Sequence, residues 1–170
     1  MKKKLKELKI LRAIHTIVGN GLFDFRTGRV RSVIFVGLGN IFPDFIICGT
    51  LRALLWKIAG AQINDVSTAV IRKGAFIEYA CQLKAGTHLQ IGRGTYFCAH
   101  APITLGDHVT ISLDCKILTM HHTGKYHEEE VFNSVEIGSH SIIYAGATIL
   151  PGSSIVAHSI IGAGEIVRRK

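Results

Sequence analysis

Apolar residues recur along this chain with two different periods. Over residues 4–18 the period is helical: Leu5, Leu8, Leu11, Ile14 and Val18 share one face. Lys2, Lys3, Lys4, Lys6 and Lys9 cluster at its start, and Gly19-Asn20-Gly21 is expected to stop it. A second helix is expected from Pro43-Asp44 to Gly60. Its apolar face would be Ile47, Leu51, Leu54, Leu55 and Ile58, with Arg52 and Lys57 on the edges. Residues 22–42 are apolar and glycine-broken and show no assignable period.

From Ile63 the period becomes six. Ile137, Ile143, Ile149, Ile155, Ile161 and Val167 form an unbroken series. Before it come Leu105, Ile111 and Ile117, then Ile91, Phe97 and Ile103, then Ile71, Ile77, Leu83 and Leu89. Ser141, Ala147, Ser153, Ser159 and Glu165, mostly small, stand four residues after the first five members of the long series. A period of six fits neither a helix nor a hairpin sheet, and marks a repeat architecture. Three hexapeptides make one triangular coil, each aliphatic points inward, and small residues fit the corners. One coil cannot bury its face alone, so the coils stack as a solenoid, with room for about five. The register slips by two residues at 89/91 and 103/105, which predicts irregular corners. Between Ile117 and Ile137 the stretch HHTGKYHEEEVFNS has no hexapeptide character. It reads as a loop, about 119–134, thrown out of the coil, and such loops on rigid scaffolds carry function.

Charge separates the same two parts. The formal net charge is +8. Residues 1–62 hold eleven Lys/Arg against three Asp/Glu, whereas residues 63–170 hold nine of each. The solenoid part therefore lacks the basic surface of a nucleic-acid binder. The basic, apolar segment 1–62 is read either as helices packed on the domain or on a sister subunit, or as an anchor at an anionic membrane surface. No stretch is long and apolar enough for a transmembrane helix, and no secretory signal is recognisable, so a cytoplasmic protein is expected. Cys48, Cys81, Cys98 and Cys115 form no CxxC pair and read as reduced, mostly buried thiols; the last three, spaced by 17, are expected inside the coils.

The run Leu105-Gly-Asp-His-Val-Thr-Ile-Ser, then Ile117-Leu-Thr-Met-His-His, Val135-Glu-Ile-Gly, Ala145-Gly-Ala-Thr-Ile-Leu-Pro-Gly and Ile161-Gly-Ala-Gly resembles the hexapeptide-repeat acyltransferases. Within them it is most similar to the galactoside, maltose and surface-polysaccharide O-acetyltransferases. The resemblance spans roughly residues 63–167 and implies an all-β solenoid, a left-handed parallel β-helix, with an N-terminal helical segment. It implies transfer of acetyl from acetyl-CoA to a saccharide hydroxyl by a homotrimer with sites between subunits, and no metal.

The family's catalytic histidine closes its T-x-x-H turn, which here places the role on His122, three residues after Thr119; His121 is its competitor. An imidazole titrating near neutral pH suits a base acting on a hydroxyl. The resemblance gives the oxyanion donor as the Ala145 backbone N–H and the coenzyme A contacts as Ala145, Gly146, Ala163, Gly164 and Arg168. His100, Asp114, Glu128 and Tyr144 are its candidates for the acceptor pocket. Three departures stand out. Ile142 and Tyr144 replace the usual Trp and Gly, Thr123 replaces a Pro, and the family's T-K-D strand and G-x-P-A segment are absent from these residues. Either another element, such as a neighbour's N-terminal helices, caps the last coil, or the chain is truncated. Other readings of the same pattern are an N-acetyltransferase, a non-catalytic trimeric scaffold, and a zinc protein of the γ-carbonic anhydrase type using His122 and His127.

Overall fold

The computed structural model describes residues 15–124 and 129–169. Residues 15–26 are helical (α1), followed by α2 (Arg29–Ile41) and α3 (Ile46–Ala59). The helix therefore runs through Gly19-Asn20-Gly21, which the sequence marks as a stop, and most of the expected helix 4–18 lies outside the described residues. Gly28, at φ +80°, turns the chain from α1 into α2. Gly60, at φ +121°, ends α3, its N–H and that of Ala61 capping carbonyls of the last turn.

Three five-stranded parallel sheets follow and close into a triangular solenoid. The first face stacks β1 (Gln62–Ile63), β4 (Leu83–Ala85), β7 (Ile103–Leu105), β12 (Val135–Ile137) and β15 (Ser154–Ile155). The second stacks β2 (Val70–Ile71), β5 (Gln90–Ile91), β8 (Thr110–Ile111), β13 (Ile142–Ile143) and β16 (Ile160–Ile161). The third stacks β3 (Phe76–Ile77), β6 (Tyr96–Cys98), β9 (Lys116–Leu118), β14 (Thr148–Ile149) and β17 (Ile166–Val167). The protein is a left-handed parallel β-helix of five coils. Its core is the three inward columns; on the second face Ile71, Ile91, Ile111 and Ile143 are buried in register. Each such side chain contributes about 1.5–3 kcal/mol.

Register partners are 20 residues apart in the first coils (Ile71↔Ile91↔Ile111) and 18 in the last (Ile143↔Ile161). The extra two residues enter between the third face and the first. There β4 and β7 bury both ends, Leu83 with Ala85 and Ile103 with Leu105. The first register slip thus lies at 83/85 rather than 89/91, and Leu89 fills the next corner. The other two corners are regular and left-handed in backbone. His88, His108, His140 and His158 (φ +54° to +61°) form one, with their rings stacked at 4.2, 4.8 and 4.8 Å. Gly74, Gly94, Asp114, Gly146 and Gly164 form the other.

The face of α3 that meets the solenoid is only partly the expected one. Of the expected residues Leu55 is buried and Leu51 half-buried, but Gly49, Arg52, Ala53, Trp56 and Ala59 make up most of the buried face, while Ile47 is 78% exposed and Leu54 and Ile58 also point outward. Small residues allow close approach, and Trp56 packs edge-on against Phe97 at 5.7 Å. Arg52, expected at an edge, is 1% exposed and donates to the carbonyls of Gly39, Phe42, Pro43 and Ile71. The cysteine spacing of 17 misses the true coil length, so Cys81 is exposed, whereas Cys98 and Cys115 are buried.

Candidate functional site at the irregular corner

The corner with the extra residues gathers the chemistry. Glu78 follows β3, His100 follows β6 one coil on, and the extruded segment follows β9 one coil further. That segment is a β-hairpin, β10 (Met120–Thr123) and β11 (Glu129–Phe132). Thr119 ties it to the coil below. Its hydroxyl donates to the Cys98 carbonyl at 2.6 Å and accepts from the Ala101 N–H at 3.0 Å, while its N–H donates to the same Cys98 carbonyl. A buried hydroxyl with both partners met fixes where the hairpin leaves.

Hairpin pairing separates the two candidate histidines. His122 stands opposite Glu130, and His121 opposite Val131. Side chains alternate along a strand, so Met120, His122, Glu130 and Phe132 share one face and His121 the other. Phe132 lays its ring over His100, centroids 5.8 Å apart. The His122 face is therefore the one turned to His100. Both His121 and His122 are exposed.

Beneath Phe132 lies a polar cluster. His100 Nε2 is 2.6 Å from Glu78 Oε2, and the Tyr96 hydroxyl donates to Glu78 Oε1. Tyr79 meets the His100 ring edge-on at 4.9 Å, and Arg29 from α2 reaches within 4.0 Å of Glu78. Burial, then the Glu78 charge, pushes the Cys98 thiol up to about 11. Burial and the bond to Glu78 likewise raise the Tyr96 hydroxyl well above its usual value. Of these residues the sequence points only to His100 as a site candidate. Glu78 and Cys98 are 20 residues apart, one coil, which a repeat of 18 does not bring together.

The other expected residues lie at a different corner. Asp114, Tyr144, Ala145, Gly146, Ala163 and Gly164 stack between the second and third faces. The Gly146 N–H donates to Leu113 and the Gly164 N–H to Ala145, both at 2.9 Å, whereas the Ala145 N–H has no acceptor among the described residues. Tyr144 is exposed. Arg168 is exposed after β17. Glu128 and His127 lie outside the described residues. A groove of about 580 Å³ runs along the second face, with Asp44, Arg72 and Arg93 in its wall, but it takes nothing from the hairpin. It is an open furrow beside α3, and the convergence of titratable groups, rather than size, marks the irregular corner as the candidate site.

The coil stack and the protruding hairpin define a hexapeptide-repeat solenoid. The structure is similar to a maltose O-acetyltransferase from Clostridium difficile 630, with a TM-score of 0.66, 22% identity, and 82% of this chain and 74% of that one covered. It is also similar to a hexapeptide-repeat-containing acetyltransferase from Vibrio cholerae O1 biovar eltor, solved with acetyl coenzyme A. There the TM-score is 0.67 and the identity 19%, with 85% and 78% covered. At these identities the likeness establishes the fold. No protein-family model matches the chain, and no curated protein matches it by sequence.

Proposed function

We propose that the protein is an acetyl-CoA-dependent O-acetyltransferase acting on a hydroxyl of a saccharide or surface-polysaccharide precursor. The observation that carries this reading is the hairpin: His122, not His121, shares a face with the phenyl ring seated on His100. The acceptor would enter between that face and the Glu78–His100 pair. His122 takes the proton of the acceptor hydroxyl as its oxygen attacks the thioester carbon of the donor. The tetrahedral oxyanion needs a fixed donor, and the free N–H of Ala145 is suited to it. Collapse expels the thiolate, which recovers the proton from His122, leaving an acetyl ester and free coenzyme A.

Within one chain His122 and Ala145 belong to different corners of the triangle. Base and oxyanion donor would then meet between neighbouring copies, which favours a homotrimer. Gly146, Ala163 and Gly164 would line the path of the pantetheine arm along that seam, with Arg168 at its phosphate end. Asp114 and Tyr144 would reach the acceptor from the neighbouring copy. The three helices carry the second part of the reading. Ile17, Leu22, Phe23, Phe25, Val33, Ile34, Ile41 and Ile47 are exposed, next to a strongly basic sequence. No described helix is long and apolar enough to cross a membrane. An apolar helical surface beside basic residues suits an anionic bilayer surface, so the enzyme would work at the inner face of the membrane on a lipid-borne sugar.

Calorimetric titration with acetyl-CoA tests the core of this reading. Saturable binding near one site per chain, and sugar acetylation lost in His122→Ala, are expected. A folded protein that neither binds the donor nor acetylates any sugar in a broad panel would overturn it. Sedimentation with phosphatidylglycerol vesicles, but not with neutral ones, is the matching test of the helical segment.

A further inference from the structure

We propose that Glu78, Cys98 and His100 form a binding site for one divalent transition-metal ion of the zinc class. The three residues offer a carboxylate oxygen, a sulfur and an imidazole nitrogen, and these atoms all lie within 4.8 Å of one another. Among the described residues no other group of three metal-ligating side chains converges in this way. The mixed set of hard, borderline and soft donors is what zinc takes in sites with three protein ligands and one open position. One carboxylate and one thiolate would balance the charge of the ion, with the imidazole neutral.

The support around the ligands is already built. The Tyr96 hydroxyl holds the second oxygen of Glu78. Phe132 on one side and Tyr79 at the edge hold the plane of His100. Such outer contacts orient metal ligands and are a regular part of metal sites. All three ligands follow or end strands of two adjacent coils, β3 and β6, whose backbones are paired in register. Without the ion, one proton between His100 Nε2 and Glu78 Oε2 holds the pair at 2.6 Å. The ion replaces that proton and the thiol proton, both released to solvent; the Glu78–His100 pair opens to about 3.4 Å, the edge of a zinc tetrahedron, and the Cys98 sulfur settles at a similar spacing. The resemblance to sugar acetyltransferases implies no metal. This site does not depend on the acetyl-transfer reading and is tested without catalysis.

The experiment is cobalt titration of the chelator-stripped full-length protein, read by absorption. Expected are one equivalent bound per chain, visible bands of tetrahedral cobalt and a thiolate-to-cobalt charge-transfer band near the ultraviolet. Cys98→Ser should abolish the charge-transfer band, and His100→Gln should weaken binding at least about tenfold. Cys48→Ser/Cys81→Ser, which removes the more accessible thiols, should leave the spectrum unchanged. If Cys98→Ser does not fold, X-ray absorption of the zinc-loaded wild type replaces it, with one sulfur expected at about 2.3 Å. A folded protein that shows no thiolate band overturns the site. So does a band that survives Cys98→Ser, or zinc bound by nitrogen and oxygen alone, as the exposed His88–His158 column would bind it.

Discussion

Arg52 joins the helices to the solenoid, and its removal is the sharpest test of how the two parts hold together. The side chain is 1% exposed. Its Nη2 donates to the carbonyls of Phe42 at 2.7 Å and Pro43 at 2.8 Å, its Nε to Gly39 at 3.0 Å, and Nη1 lies 3.4 Å from the Ile71 carbonyl. Asp44 stands 3.6 Å away. Arg52→Ala strips these carbonyls of their donor and leaves a cavity under α3. Three charge-assisted bonds at about 1.5–3 kcal/mol each set an upper bound of about 5–9 kcal/mol. Water re-entering at Phe42 and Pro43, which are partly exposed, lowers this toward the roughly 3–5 kcal/mol typical of a broken buried ion cluster. With a urea m-value of about 2 kcal/mol/M, the midpoint should fall by about 1.5–2.5 M. Trp56, the sole tryptophan, sits one helical turn further on, buried against Phe97. Its fluorescence therefore reports detachment of α3, while the absorbance of the four tyrosines, all within residues 63–170, reports the solenoid. The Trp56 transition should move first and furthest. Arg52→Lys should recover less than half of the loss, because an ammonium cannot span acceptors spread around a planar fork. A Trp56 midpoint within about 0.3 M of wild type in Arg52→Ala, less than 1 kcal/mol at that m-value, would refute the account.

Four further outcomes are expected. His122→Ala should lower sugar acetylation about 10²–10⁴-fold while His121→Ala stays within severalfold of wild type, measured as coenzyme A thiol release. Gly92→Ala should destabilise the solenoid by about 2–3 kcal/mol in urea melts, because a Cβ there would sit under 3.0 Å from the backbone of Ser112 and Leu113. Burial would raise the pKa of Asp44, but the Lys73 N–H, Arg93 and Arg72 hold it below the ordinary carboxylate range. Its stabilising effect is therefore complete above about pH 4 and fades as pH falls through the lowered folded value. The midpoint gap between wild type and Asp44→Asn should close in acid. His108→Val should cost about 1–2 kcal/mol and His108→Asn much less, since the left-handed corner at φ +56° tolerates Asn and not a β-branched residue.

The solenoid was legible because its repeat is written in one residue type. Ile143, Ile149, Ile155 and Ile161 each fall on the inward position of successive strands, and a six-residue period has no other simple explanation. The helical third was less legible, and the reason is packing. The aliphatics Ile47, Leu54 and Ile58 look like a buried face only if the helix is amphipathic in the ordinary sense. Here Gly49, Ala53 and Ala59 let α3 lie close on the solenoid, so the bulkier apolar residues turn outward. α1 also runs through Gly19 and Gly21 against an unfavourable propensity of about 1 kcal/mol per glycine, and packing does not account for it, since nearly every residue of 15–26 is exposed. At the site, the T-x-x-H turn marked the hairpin, and alternation along β10 then separates His122 from His121. The Glu78–Cys98–His100 cluster was out of reach. It needs a coil length of 20, and that length is set by two residues added at one corner.

Those two residues bear on function as well as register. At the regular corners each coil repeats the backbone of the one below, so the side chains there form columns: four stacked histidines at one, glycines and Asp114 at the other. A column offers the same group at every level and suits a long ligand laid along the axis, as the pantetheine arm would be. The third corner is freed from repetition. It carries Glu78 on one coil, His100 on the next and an entire hairpin on the third, so unlike groups converge on one point. Acid–base or metal chemistry needs unlike groups at one point, which a strict hexapeptide repeat cannot supply. The irregularity that blurs the sequence pattern is therefore also what permits a site on this fold.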